Sequence, residues 1–454
     1  MANIARALAE KGIKVTGSDI KGEFITDEVM EKAGIRPVLY KDYKNYKSYK
    51  DYKTFQPDYV VVTGAHGGMT NPEAVALKLA GWKTIMYGEF LGMLMNDYEM
   101  PISVAGCHGK TTTASMIAHI LDYAGANPSF IVGTSNINSL ETAGRMTNGK
   151  YFVAEADEYK NCPLTDPTPK MMYQKPKMAV VTNIEYDHPD QFSSLSEMEK
   201  AYLHFCGNIS DAGLIITNSQ FLISNKTPMV KCPMLKYGTT ADCDWQVTKV
   251  KQGEQKMIFN LTGKGVDIGE FSLSVPGTHN CVNAAAAIAA CANLGISLEK
   301  IRQALPLFTG TKRRFEKIGE KNGILFYDDY AHHPTEIKAT LRAARSWLGD
   351  KRIICIFQPH TYSRTKALFK EFSLSFGDAD TVIFADIFSS ARELIDDTVS
   401  SRLLAEETAK YHQRAFYLGG KENVIEWLSH ETKPNDVILT MGAGDIFLIS
   451  KTLV

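Results

Sequence analysis

The 454-residue sequence has no apolar run long enough to span a bilayer and no leader of the secretory kind, so neither membrane insertion nor export is expected. It has almost no net charge: 50 lysines and arginines face 51 aspartates and glutamates, a formal −1. Such a balance gives no global basic field for nucleic acid, and an anionic ligand has to be met by a local site. Paired cysteine motifs are also missing. The eight cysteines (107, 162, 206, 232, 243, 281, 291 and 355) form no Cys-x-x-Cys pair and sit mostly in apolar or helical surroundings. Scattered reduced thiols in a cytoplasmic protein are expected. What is present is ordinary in bulk: 44% hydrophobic and 22% charged residues, enough to bury cores of normal size without staples.

At about 150 residues each, the length allows about three domains. Short β-branched runs alternate with helical patterns. Val15–Asp19 reads as a strand end, and Tyr59–Thr63, Ile102–Ala105, Met178–Thr182 and Leu214–Thr217 as strands. The alternation predicts α/β architecture, with mostly parallel sheets covered by helices. Residues 242–275 break the pattern and predict antiparallel strands, followed by an alanine-rich helix over 280–293. Turn residues at Phe308–Thr311 mark a linker, a fresh α/β series starts at Ile324, and another boundary falls between Asn96 and Pro101. The expected domains are 1–98, 99–311 and 312–454. Repeated Tyr-Lys triplets between Tyr40 and Phe55 read as a solvated helix or loop.

Gly106-Cys107-His108-Gly109-Lys110-Thr111-Thr112-Thr113 lies between a predicted strand and a helix running from Lys110 to about Tyr123. That context is what a phosphate-binding loop requires. Its glycines let backbone N–H groups close around phosphate oxygens, and the helix N-terminus adds partial positive charge. Lys110 is placed to neutralise β/γ-phosphate charge, and Thr111 to offer its hydroxyl to Mg²⁺. Cys107 reads as a small side chain rather than a reactive thiol. Glu155-Ala156-Asp157-Glu158 ends another strand, and carboxylates there suit Mg²⁺. Asp187-His188 follows a third strand, where open α/β sheets bind ligands. His279 or Asn280 could cap the alanine-rich helix and face a nucleotide. Three late strings, Tyr327–Glu336, Phe357–Thr365 and Met441–Ile446, each end a strand, so they should meet on one edge of a parallel sheet.

These strings together, in order over nearly the whole chain, resemble the Mur ligases, and within them the muramate–alanine branch. The family's shortened loop Gly-x-x-Gly-Lys-Thr, its Glu-Ala-Asp-Glu, Thr-Asn-x-x-x-Asp-His, His-Asn-x-x-Asn, Lys-Arg-Arg-Phe-Glu, Asp-Asp-Tyr-x-His-His-Pro, Gln-Pro-His and Met-Gly-Ala-Gly-Asp strings are matched here. The resemblance implies a Rossmann-like UDP-sugar domain, a central ATP-binding domain with a small antiparallel sheet, and a Rossmann-like C-terminal domain that closes over nucleotide and amino acid. It implies ATP and Mg²⁺ as cofactors, UDP-N-acetylmuramate and L-alanine as substrates, and ADP-forming ligation through an acyl phosphate. It gives Glu155 and His188 to Mg²⁺ with Thr111, Asn280 to the adenine, and an arginine of the Arg313–Arg314 pair to a phosphate, with Arg313 chosen. Lys110, His188, His332, His360 and Arg364 are implied to be catalytic. Gly106, Cys107, His108, Gly109, Lys110, Thr111, Thr112 and Tyr330 join the nucleotide-binding set. The family's murein-peptide branch shares the phosphate loop and the Asp-Asp-x-x-His-His-Pro string but differs in the Gln-Pro-His and Met-Gly-Ala-Gly-Asp strings, and an ATP-binding remnant without ligase activity is the rival of another class. Two departures stand out. Thr361 occupies a usual arginine position, and Met1 falls where the family's N-terminal Gly-rich loop ends, so the usual diphosphate cradle is expected to be missing.

Overall fold

The computed structural model describes residues 1–22, 24, 26–40, 56–220, 230–389, 393 and 395–454. Of the Tyr-Lys segment, residues 41–55 lie outside the described residues.

The N-terminal region carries two parallel strand pairs, Ser18–Ile20 on Val38–Tyr40 and Val60–Val62 on Thr84–Met86. The first helix, Ala2–Glu10, buries Ile4 and Ala7. These two join Ile85, Phe90, Leu91 and Met95 in a cluster that also takes in Ile131, Phe152 and Ala154 of the next sheet. The N-terminal region is therefore seated on the central one by apolar burial, the main favourable term in such packing.

The central region is built on a ten-stranded sheet. Its order is Val266–Leu273, Lys256–Gly263, Trp245–Gly253, Met234–Gly238, Leu214–Asn218, Met178–Val181, Met100–Ala105, Tyr151–Glu155, Ser129–Ile131 and Gly144–Arg145. Apart from the edge strand Gly144–Arg145, which runs antiparallel to Ser129–Ile131, the strands of this sheet between 100 and 238 pair in parallel with their neighbours, as fully buried apolar runs do when helices cover both faces. The antiparallel hairpins expected over 242–275 are present, and they extend this sheet instead of standing apart. Helices Lys110–Tyr123 and Thr278–Asn293 share one core. Ala284–Ala287, Ala289 and Ala290 are fully buried, since small side chains let the second helix approach closely. The other face is covered by Leu195–Gly207 through Met198, Tyr202, Phe205 and Cys206.

The C-terminal sheet has six strands in the order Glu316–Lys321, Ile324–Asp329, Val437–Met441, Ile353–Phe357, Thr381–Ala385 and Ala415–Gly419. Only the first pairing is antiparallel. The strands ending at Asp329, Met441 and Phe357 are adjacent, so the three late strings do meet on one edge. All eight cysteines are free and buried. Among the described residues no helix is long and apolar enough to cross a membrane.

Candidate active site

Strand Met100–Ala105 leads into Gly106 at φ 127°, and the helix opens at Lys110 after Gly109 at φ 78°. Gly106 is required twice over, by φ and by space, and Gly109 by φ. A Cβ at Gly106 would stand 2.1 Å from Thr182 Oγ1, and one at Gly109 2.6 Å from Asn283 Oδ1. Asn183 clamps the loop: its Oδ1 accepts from His108 N–H at 2.8 Å and its carbonyl from Cys107 N–H at 2.9 Å. The Cys107 thiol donates to Glu185 O at 3.2 Å, and burial pushes it far above the usual thiol range. It packs as a small apolar group, and the reactive reading fails because burial outweighs the helix terminus.

From Lys110 a line of buried charged groups runs into the C-terminal region. Lys110 Nζ donates to Glu158 Oε1 and Oε2 at 3.0 and 2.9 Å. Glu158 Oε1 is 3.0 Å from His188 Nε2. Burial raises the Glu158 carboxyl, but Lys110 and His188 prevail and hold it below its ordinary range. His188 Nδ1 lies 2.8 Å from Arg364 Nη2 and 2.7 Å from Tyr159 Oη. A guanidinium only donates, so Nδ1 is the acceptor and the ring proton sits on Nε2, pointing at Glu158. Arg364, 1% exposed, also donates to Asp187 Oδ1 at 2.7 Å and to His360 Nδ1 at 3.1 Å. Against its burial, Arg364 and His188 keep Asp187 well below the usual carboxylate range. Glu155 stands apart from this line. It accepts from Gly133 N–H at 2.5 Å, and burial pushes its carboxyl up, against Gly133, Lys110 and Thr111.

A second cluster surrounds His108. Its Nε2 is 2.5 Å from Glu185 Oε1 and its Nδ1 3.2 Å from Glu336 Oε1. Burial opposes the charge on His108, but Glu336 and Glu185 outweigh it and raise the ring to about 10. Next to it is a cavity of about 340 Å³ lined by His108, Gly109, Thr112, Asn280, Asn283 and Arg314. His332 goes the other way: burial, against Glu336, takes it down to about 3, so it is neutral. Its Nδ1–H donates to Tyr330 O at 2.9 Å. A larger cavity, about 1630 Å³, lies in the N-terminal region and includes Ser18, Asp19, Thr63, His66 and Asn71 in its wall.

Family profiles for the Mur ligase family catalytic domain, the Mur ligase middle domain and the Mur ligase glutamate ligase domain match residues 1–99, 104–291 and 313–444. A UDP-N-acetylmuramate–L-alanine ligase of Desulfitobacterium hafniense (strain Y51) is 37% identical over 455 residues, covering 100% of this chain and 97% of that relative. The chain belongs to the Mur ligase family. A relative of the same name from Acetivibrio thermocellus is 38% identical, covering 99% of this chain and 92% of its own length. Among solved structures, the UDP-N-acetylmuramate–alanine ligase of Thermotoga maritima shares the fold with a TM-score of 0.79 at 24% identity, over 100% of this chain and 95% of that one. A murein peptide ligase from Psychrobacter arcticus gives 0.69 at 25% identity, over 100% and 95%.

Two sets of the residues singled out in this Mur ligase sequence are brought together. Lys110, His188, His360 and Arg364 lie on one connected line, while His108, Gly109, Thr112 and Asn280 share the smaller cavity. Asn280 does not cap its helix. Gly277 is the N-cap residue, and the Asn280 side chain donates to Pro276 O at 2.7 Å from within the first turn. Arg313 faces away from the cavity: it pairs with Asp328 at 2.8 Å and donates to the carbonyls of Gly442 and Gly444. Arg314 is the one on the cavity wall. Tyr330 lies between them, 5.1 Å from each guanidinium. Thr361 takes φ 69°, a region that disfavours a β-branched residue, and its N–H donates to Phe388 O at 3.1 Å. Sequence reasoning gave no role to Asp187, Glu185 or Glu336. Asp187 and Glu336 stand inside strings singled out in the sequence, but their partners across the site, like those of Glu185, lie far away in it.

Proposed function

We propose that this Mur ligase joins L-alanine to the muramoyl carboxylate of UDP-N-acetylmuramate at the expense of ATP, releasing ADP and phosphate. One observation carries the reading: His360 and Arg364, from a C-terminal strand end, close onto the line that starts at the phosphate-loop lysine. A site split in this way suits two half-reactions on one carboxylate. The carboxylate oxygen takes the γ-phosphoryl group and ADP leaves. The L-alanine nitrogen then attacks the acyl carbon, passes through a tetrahedral intermediate, loses a proton and expels phosphate. Phosphoryl transfer of this kind asks chiefly for positioning and charge stabilisation. Lys110 supplies a point charge to the transferring group, and the cavity beside His108, Thr112 and Asn280 receives the adenosine. A Thermotoga maritima MurF ligase in complex with ADP shares the fold, with a TM-score of 0.65 at 16% identity.

The donor set fits Mg²⁺, which selects hard oxygen ligands. Glu155, Glu158 and the Thr111 hydroxyl would hold it, with His188 orienting Glu158 through Nε2–H. When bound, the ion neutralises phosphate charge. Glu158, more than Glu155, is the carboxylate placed with both Lys110 and His188. We assign the UDP-sugar to the large cavity of residues 1–98, ATP to 99–311, and the amino acid and closure to 312–454. A cytoplasmic setting goes with ATP use and with eight free thiols.

The test is ADP release by the purified chain with ATP, Mg²⁺ and UDP-N-acetylmuramate, with L-alanine or the murein tripeptide as acceptor. Release with L-alanine and a product heavier by one alanyl residue supports the reading. Preference for the tripeptide, or ATP binding with no ADP formed, overturns it.

A further inference from the structure

Glu336 sits in the first turn of helix Pro334–Leu348, where an acidic residue ordinarily does local work. Its Oε2 does so: it accepts from His332 N–H at 3.1 Å and lies 3.3 Å from His332 Nδ1. The neighbouring His333 caps the helix by accepting from Thr335 N–H at 3.3 Å. Oε1 faces away from the helix. It is 3.2 Å from Nδ1 of His108, in the phosphate loop, and 3.5 Å from Nη1 of Arg314, in the segment leading into the C-terminal sheet. The side chain is 10% exposed, and Glu336, His108 and Arg314 all line the 340 Å³ cavity. Two cationic groups facing that cavity therefore lean on one carboxylate brought by a helix of the other sheet. Without it, His108 and Arg314 would lose the one carboxylate they share. Glu185 would remain on the far nitrogen of His108 only. Burial works against the Glu336 charge, yet His108, His332 and Arg314 hold its carboxyl well below the ordinary range.

We propose that Glu336 is a positioning residue that sets His108 and Arg314 against the nucleotide, so that ATP is gripped fully only when this helix is seated on the phosphate loop. The inference rests on the ATP-dependent ligase reading above. Glu336→Gln keeps an acceptor for His332 N–H, so the substitution removes the charge and spares that hydrogen bond. The expected result is a KM for ATP raised about tenfold, with kcat and the KM for L-alanine little changed. A merely structural cap would leave the ATP KM where it is. In a His108→Asn background, E336Q should add less than about twofold, because the partner through which it acts is gone. An unchanged ATP KM in E336Q, or a full further loss in the His108→Asn background, overturns the inference. If E336Q does not fold by circular dichroism, Glu336→Asp serves. One methylene shorter, it keeps the charge but cannot span from His332 to His108, and it should raise the ATP KM or the inference falls. ADP release by the unmodified protein is the control: its absence rejects the ligase reading, while its presence with an unmoved KM rejects only the role of Glu336.

Discussion

Lys110 and Glu158 meet inside the protein, with side chains 14% and 1% exposed, so each depends on the other to make its burial tolerable. Lys110→Ala should lower kcat about 10²–10³-fold, the scale of losing one preorganised charge at a reacting centre. ADP release measures this, and an unchanged far-ultraviolet circular dichroism spectrum shows that the fold is kept. The two candidate metal carboxylates separate by context. Glu158→Gln should raise the Mg²⁺ needed for half-maximal activity more than Glu155→Gln does. Superimposable Mg²⁺ titrations of the two variants would count against Glu158. His108 gives a pH signature. Folded, it keeps its proton up to about 10, whereas an unfolded-chain histidine gives it up near about 6.5. The native state binds the proton more tightly, so this stabilisation is complete below about 6.5 and is lost as pH climbs through about 10. The groups around it are Glu185, Glu336, His333 and Arg314. His108→Gln should therefore cost roughly 3 kcal/mol at mildly acidic pH and far less at high pH. Urea unfolding across that range checks the trend, and a gap that widens with pH would contradict it.

At the level of elements, much was legible because it is local. The phosphate-loop helix runs from Lys110 to Tyr123 as its strand–glycine–helix context implies. The strand ends at Asp329, Phe357 and Met441 follow from apolar runs stopped by polar strings. The pairings that build the site were not legible. Arg364 reaches Asp187 across 177 residues and Lys110 reaches Glu158 across 48, and no periodicity or spacing rule encodes such partners. The same limit explains Arg313 and Arg314. They are neighbours in sequence, but Arg313 takes φ 60° and turns into the C-terminal sheet while Arg314 faces the cavity. Arg364 comes from the short helix Tyr362–Ala367, whose seat on the central region is this ion pair. Asp187→Ala strands a guanidinium that is 1% exposed, and should cost about 3–5 kcal/mol in urea unfolding. Arg364→Lys keeps the charge but cannot serve Asp187, His188 and His360 at once, so its loss should appear in kcat as well as in stability.

Across the whole molecule, the large N-terminal cavity and the phosphate loop are separate, and their ligands should report separately. Lys110→Ala should bind UDP-N-acetylmuramate as the unmodified chain does while losing ATP affinity. Calorimetric titration of each ligand decides it, and a parallel loss of both affinities would mean that the two regions act as one site. The Lys110–Glu158 contact carries a further consequence. A nucleotide does not find an idle lysine there. It must draw the ammonium away from a buried carboxylate, and that carboxylate then needs another positive partner. A divalent cation arriving with the nucleotide would supply one. On the proposed reading, nucleotide binding at this loop would be an exchange of counter-ions, and the affinities for nucleotide and cation should rise and fall together as two readings of one thermodynamic linkage.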